Sequence, residues 1–586
     1  MGQDVRDKSR VCRTPPNPLK IRLSTNTDQS RIILAASLVA ILSMAALSTY
    51  LFWLPLNGGY NNDAFSLGHG VIEINGDAHF LGIAMRRGWP GNGSPENPYL
   101  IDGLDIDRGG AAGHCIYIKN TRVSFIMRNC RFTGAAVTPH YSPGIGYKPE
   151  ESGAGILLAN VANGELVNNT CNSNNDIGIF LLYSHLNTVA NNTCCSNEFG
   201  ILLYNSTLNT VINNTCSNNE DSGIDVSGDH NTVVNNICSS NGRAGLWRGG
   251  GISLSDAYNT VANNNCSGNI VLGISLRDST SNTLSNNTCN YNRVGFWLYM
   301  SNLNNMVNNT CNSNEVGIEH IGSDSNTVAN NTCNDNWAGI FLESSNSNTV
   351  VNNMCNNNHT GIFLESSNSN TVANNMCNNN SGGIGLFAAE YNTVVNNMCN
   401  NNDIGGIGLF AAEYNTVANN MCNNNSGGIG GIGLSSTLNG YIDEEGVERD
   451  IHWDESRYNT VTNNICNENE VGINLNGSSY NTVENNTCNS NDIGIFLDRK
   501  MELTPVNNLP YWIDSHSNTV ANNTCNYNRI GIYLRNSTSN TVVNNTCLGN
   551  TEHDILEESG TEEIPPDIFS CSDSQELHFW VQDVNW

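Results

Sequence analysis

Two stretches of the chain gather side chains that could do chemistry. One is TLNGYIDEEGVERDIHWDESRY (437–458), with His452, Trp453, Asp454 and Glu455; the other is DRKMELTPVNNLPYWIDSHS (498–517), with Trp512, Asp514 and His516 and with Asp498 at its head. Carboxylates such as Asp454, Asp498 and Asp514 are the groups a polysaccharide hydrolase or lyase would use as acid and base. The indoles of Trp453 and Trp512 offer flat apolar faces to a sugar ring. His452 and His516, with Asp454 and Asp514, are donors a divalent cation could take. The competing account is two solvated loops packed on each other through Trp453 and Trp512.

A different chemistry lies in Met354, Met376, Met398 and Met421, each standing directly before a cysteine. Thioethers are soft donors that suit Cu(I). Copper, or another divalent cation at the histidines, is therefore the cofactor to look for. Glu343 and Glu365 repeat within FLESSNSNTV, and duplication of that text accounts for the pair without catalysis.

What holds these residues in place is a repeat. Sixteen cysteines, from Cys171 to Cys547, share one context, and the intervals between them are mostly 22 or 23 residues, with 28, 44 and 37 as exceptions. One line reads G-I-x-L-x-x-S-x-x-N-T-V-x-N-N-x-C-N-x-N. Asn, Gly, Thr and Val suit strands and corners, and the period is too short for a pair of helices. The apolar residues of Gly-Ile-x-Leu are two apart and share a strand face, whereas Val189 and Cys194 are five apart, so the chain must bend between them. The bend falls at Asn191-Asn192. Each line is thus three short strands, one coil of a parallel β-helix of about 22 residues. Coils ~4.8 Å apart would make the sixteen rungs span on the order of 75 Å. Ile179, Ile201 and Ile224 form one interior ladder; Val189, Val211 and Val233 form another. The cysteines form a third, as small buried hydrophobes and not as disulfides. The Asn pair is expected to stack its amides from coil to coil.

These lines resemble the parallel β-helix repeats of NosD-type proteins, which are associated with copper-site maturation, and the wider carbohydrate-binding and sugar-hydrolase group that shares the coil. NPYLIDGLDID (97–107) and CIYIKNTRVSFIMRNCRFTGA (115–135) look like opening coils of archaeal surface members. The resemblance covers roughly residues 90 to 550 and implies an all-β, single-stranded right-handed parallel β-helix solenoid. It also implies that the Gly-Ile-x-Leu sheet lines a substrate groove, because that sheet does so in the sugar enzymes.

The outward positions of that sheet hold Trp297, Tyr299, Phe341 and Phe363, among others. An exposed aromatic strip of this kind would bind a neutral polysaccharide. Both long insertions leave the same corner of their coils, and one normal coil separates them, so they should project side by side beside the strip.

The chain carries 25 Lys and Arg against 54 Asp and Glu, a formal charge of −29. Its body lacks the basic stripe that phosphate backbones require, which excludes nucleic acid as a partner. The uncharged run Ile32–Leu56 (25 residues) follows a basic tail. It reads as one N-terminal transmembrane helix with the body outside, or as a cleaved signal segment. The expected organisation is a cytoplasmic tail (1–31), an anchor (32–56), a linker and entry cap (57–95), the β-helix (96–550) and a C-terminal cap (551–586). Asn205 and Asn536 are the expected glycan acceptors. The function expected is an exported, membrane-anchored binder of a cell-surface polysaccharide or glycoprotein. The alternatives are a copper-binding maturation accessory and a non-catalytic adhesion or structural protein.

Overall fold

The computed structural model describes residues 71–137, 152–244, 249–442, 448–503 and 510–559. The expected tail and anchor, residues 57–70 and residues 560–586 lie outside these. Among the described residues no helix is long and apolar enough to cross a membrane.

The described chain is a β-solenoid. Most Gly-Ile-x-Leu lines form a six-residue strand, such as Thr360–Glu365, and these pair with a few shorter, longer or divergent strands into one 19-stranded sheet. Pairing is parallel and one coil apart: Ile179 lies against Ile201 and Ile201 against Ile224. The Thr-Val-x triplets build a second parallel sheet, with Val189, Val211 and Val233 in register. The third side is a single bridge per coil at the residue before the cysteine, as between Thr193 and Thr215 or Met354 and Met376. This is the expected three-sided coil.

The isoleucine, valine and cysteine ladders are all interior. Every ladder cysteine from Cys171 to Cys525 is fully buried, and all described cysteines are free thiols. Burial pushes thiols such as Cys216 and Cys311 well up from their ordinary range. The glycine of Gly-Ile-x-Leu faces this file. A Cβ on Gly361 would lie 2.5 Å from the Gly383 carbonyl oxygen and 2.9 Å from Cys377 Cβ. No side chain fits there, which is why the column is glycine.

The corners differ from expectation in one respect. The two asparagines of each pair have opposite fates. Asn192 is buried: its Nδ2 donates to Asn214 Oδ1 at 3.0 Å and to the Leu166 carbonyl at 2.9 Å. Its own Oδ1 accepts from Asn169. Asn191 instead adopts φ 57° and points to solvent. Left-handed backbone at the first residue turns the chain and drives the second side chain inward, and Asn is among the few residues that tolerate it. The same device recurs at Leu186-Asn187 and Ser196-Asn197, so each coil carries three asparagine ladders. Most buried amides in such a file are paired on both sides, the condition for tolerating polar groups in a core; the Nδ2 groups of Asn259, Asn292, Asn314, Asn380 and Asn491 are the exceptions among the described residues.

The N-terminal end is closed by the helix Asp77–Arg87, which follows the strand Ile72–Asn75. Its Phe80 is buried, stacked on Tyr99 at 5.1 Å and tilted against Phe125 at 5.4 Å. At the other end His553–Glu558 adds one more parallel strand, so the sheet runs past position 550.

Candidate functional site

The outward face of the long sheet is three columns wide, because the chain bends at each glycine and turns the preceding residue outward too. Those preceding residues are aliphatic: Val294, Val316 and Ala338 pack with Trp297, Phe341 and Phe363 in one cluster. Phe341 and Phe363 stack at 5.7 Å, and Trp297 on Tyr299 at 5.5 Å. Phe341 and Phe363 are only 4% and 3% exposed, and Trp297 is 9% exposed. The expected bare aromatic strip is therefore a packed apolar face at these positions. Parity along a straight strand misses it, since the bend supplies the third column. Glu343 and Glu365 are paired neighbours on this face, and burial raises both above the usual carboxylate range.

The two insertions are antiparallel hairpins. The first pairs Thr437–Ile442 with Glu448–Asp454; the second pairs Lys500–Leu503 with Pro510–Ile513. They touch, as their spacing requires. Lys500, 6% exposed, donates to Ser435 Oγ at 2.9 Å and to the Ser436 carbonyl at 2.7 Å, and is ion-paired with Glu502 at 2.8 Å. The base of the second hairpin passes over Gly477, where φ is +63° and a Cβ would lie 2.5 Å from Ile513 Cγ2.

Each expected acid or base has a side-chain partner. Asp498 binds Arg535 through both oxygens, at 3.1 and 2.5 Å. Asp514 pairs with Arg499 at 3.3 Å and Asp454 with His452 at 3.2 Å. Trp512 stays 45% exposed with one face under the Arg499 guanidinium, 5.2 Å from the ring centre. Trp453 is half-buried, cross-strand from Leu438.

Beside the hairpins runs a row the sequence reading passed over. Tyr391, Tyr414, Tyr458 and Tyr480 occupy the residue before Asn-Thr-Val in successive coils. Their rings stack at 4.9, 5.0 and 5.3 Å, and His516 closes the row edge-on at 5.3 Å from Tyr480. All four are exposed. The signal was in the text: Y-N-T-V in four consecutive lines. At another corner Met354, Met376, Met398 and Met421 form a bridged outward file, three of them exposed and Met376 half-buried.

Comparison with known families matches residues 94–250 to a right-handed β-helix region. Residues 227–336, 322–445 and 431–564 match the family described as periplasmic copper-binding protein (NosD). Together the NosD matches cover more than half of the chain. The chain belongs to the NosD family.

Three solved structures similar to this NosD chain are the periplasmic alginate epimerase AlgG, the A-module of the Azotobacter vinelandii mannuronan C-5 epimerase AlgE4 and PfbA, a surface adhesin of Streptococcus pneumoniae. AlgG is 12% identical over 81% of this chain and 83% of its own, with a TM-score of 0.32. AlgE4 is 12% identical over 77% and 92%, with a TM-score of 0.22. PfbA is 11% identical over 60% and 90%, with a TM-score of 0.28. A search of the curated proteins found no match.

Within the NosD repeats, among the described residues, no three His, Cys, Asp or Glu side chains come together as a metal site. The thioether file is the remaining soft donor set. One coil departs from the rest inside: His320 stands where its neighbours have Leu298 and Leu342. It is fully buried with neither ring nitrogen hydrogen-bonded, and burial pushes it down to about 3. Next to it Glu319 is 3% exposed, and burial, then repulsion from Glu343, pushes it up to about 8. Asn205 is exposed and Asn536 half-buried.

Proposed function

We propose that the protein is an exported, membrane-anchored β-helix that holds a carbohydrate polymer of a cell surface. The observation that carries this reading is the exposed aromatic row Tyr391–Tyr414–Tyr458–Tyr480, which runs in register to the paired hairpins and the open Trp512. In-register rings give a polymer a repeated, uncharged contact, with phenol hydroxyls for its own hydroxyls, and this fits an acidic protein handling a neutral glycan. On this reading the polymer lies along this corner and not on the sheet face, a choice supported by the burial of Trp297, Phe341 and Phe363 in one cluster with Tyr299 at its edge. If the polymer is also cut, Asp454 or Asp514 at the hairpins is the acid or base, because their side chains stay 41% and 39% exposed, whereas Asp498 is 13% exposed and held at both oxygens by Arg535.

The test is a binding screen of the purified chain against surface polysaccharides. Replacing the four tyrosines with serine, which occupies that position in other coils, should leave the solenoid intact. Removing one good aromatic contact such as Trp512 should weaken binding by up to about tenfold. Unchanged affinity in both variants refutes the site.

The second reading is copper delivery. It is favoured by the family's description and by four outward thioethers in adjacent coils. Methionines 354, 376, 398 and 421 would hold Cu(I), and bound copper would supply soft-metal transfer and not hydrolysis.

A further inference from the structure

Nine coils carry the triplet Asn-Asn-Thr at the same corner, beginning at Asn168, Asn191, Asn213, Asn286, Asn308, Asn330, Asn485, Asn522 and Asn544. Asn-x-Thr is the acceptor sequence for N-linked glycans in exported chains. The structure separates the two asparagines of each triplet. The second is locked in its ladder, as Asn192 and Asn214 are. The first is the acceptor, and at all nine positions it is exposed with φ between 55° and 58°. Among the described residues no hydrogen bond is made by the side chains of these nine. Only their backbone N–H groups are engaged, as Asn191 is with the Ile212 carbonyl. A glycan on the first asparagine would therefore cost the fold nothing, whereas one on the second would break a ladder.

We propose that this corner is a column of N-glycosylation sites, in three runs of three successive coils. The inference rests on the export part of the reading above and on none of its binding part. The donor is a polyprenyl-phosphate-linked oligosaccharide, and a membrane oligosaccharyltransferase acts on the chain before it folds. The Asn Nδ2 bonds to the anomeric carbon of the donor sugar and loses a proton. The bond from that carbon to the phosphate oxygen breaks, and the lipid phosphate leaves with the electron pair. Acceptors ~4.8 Å apart are too close for branched chains on every coil, so occupancy within a run should be incomplete.

The gap between the second and third runs is informative. In the coils of Asn352, Asn374, Asn396 and Asn419 the third residue is methionine, and in that of Asn463 it is isoleucine. Substitution of the threonine removes the acceptor sequence and leaves five consecutive coils bare at this corner. Those coils carry the methionine file, three of the four stacked tyrosines and the first hairpin. The bare window thus coincides with the surface offered to partners.

The experiment is intact-glycopeptide mass spectrometry on the protein isolated from the cells that make it, with protease accessibility of whole cells scored in parallel. The expected result is sugar on at least one first-position asparagine in each run and none on Asn169, Asn192 or the other ladder residues. A surface-exposed chain with all nine bare overturns the column and leaves export standing; a chain found only inside the cell overturns both. The variant Met354→Thr, made in the same cells, writes a new triplet at Asn352 and should gain a glycan there. Asn352 bare beside an occupied Asn330 would show that position in the column does not determine modification, and would also overturn the proposal.

Discussion

Glu502, in the second hairpin, accepts a hydrogen bond from the backbone N–H of Leu438 in the first, at 3.3 Å. With Lys500 lying almost fully buried between Glu502 and Ser435, the two insertions form one body. Lys500→Ala should leave the Ser436 carbonyl and Glu502 without their cation. A loss of roughly 1–3 kcal/mol, confined to the hairpins, is expected for orphaned buried groups. Hydrogen exchange checks it: amides of 437–442 and 510–513 should both speed up, while those of the flanking coils stay protected. Acceleration of only the second hairpin would show that the two move independently.

The asparagine pair predicts an asymmetry. Asn214→Ala strips an acceptor from the Asn192 backbone and a donor from the Val189 carbonyl, and should cost about 1–3 kcal/mol for each orphaned group. Asn213→Gly keeps the left-handed backbone and loses nothing buried, so its effect should stay within about 0.5 kcal/mol. Local exchange in the coils of Cys194 and Cys216 would distinguish them; equal effects would contradict the ladder.

His320 predicts a pH response with a definite sign. Folded, the imidazole stays neutral down to about 3; unfolded, it takes a proton near 6.5. The unfolded chain therefore binds more protons between these values. The His320 contribution is complete above pH 6.5 and is lost as pH falls towards 3, up to about 5 kcal/mol at ~1.4 kcal/mol per unit. His320→Leu matches the rest of its column. It should be the more stable protein, and its advantage should widen below pH 6.5 and be constant above it. Denaturant unfolding at a series of pH values measures this, and a gap that does not change with pH would be the contrary result.

For copper the decisive variant replaces methionines 354, 376, 398 and 421 with isoleucine, which already stands at positions 237 and 465 of the same column. Threonine would be the wrong choice, because it would complete four acceptor triplets. Cu(I) titration with a competing chelator should show binding lost in the quadruple variant. Retained affinity would remove the file from consideration.

The thiol file should be fully reduced and unreactive until the coils open, since every ladder thiol from Cys171 to Cys525 is shut away from solvent and oxidant. Counting reactive thiols before and after denaturation tests this, and ladder cysteines already oxidised in the native protein would refute it.

The interior was legible because parity is a strong constraint: Ile179, Val189 and Cys194 can share one lumen only if the chain bends between the last two. The hairpins were legible as excess length at one corner. The outer face was not, because Gly178 and its equivalents bend the strand and bring a residue such as Val294 out beside Trp297. The asparagine pair was only half legible, since two identical residues in sequence gain opposite roles when one takes a positive φ. The tyrosine row was in plain sight, but it lies at a corner, outside the strand positions where side-chain direction can be counted.

The ladders have a mechanical consequence. Nearly all hydrogen bonds between coils, backbone and asparagine alike, point along the solenoid axis. A pull along that axis on the last coil loads only the bonds of that coil, and the next coil is untouched until the first has gone. The protein should therefore lengthen in discrete events, each freeing about 22 residues or ~75 Å of chain. The coils that carry the hairpins would give longer steps. A protein built this way would yield under tension by shedding turns from one end, and would recover its folded form by rewinding them onto a template that is still intact.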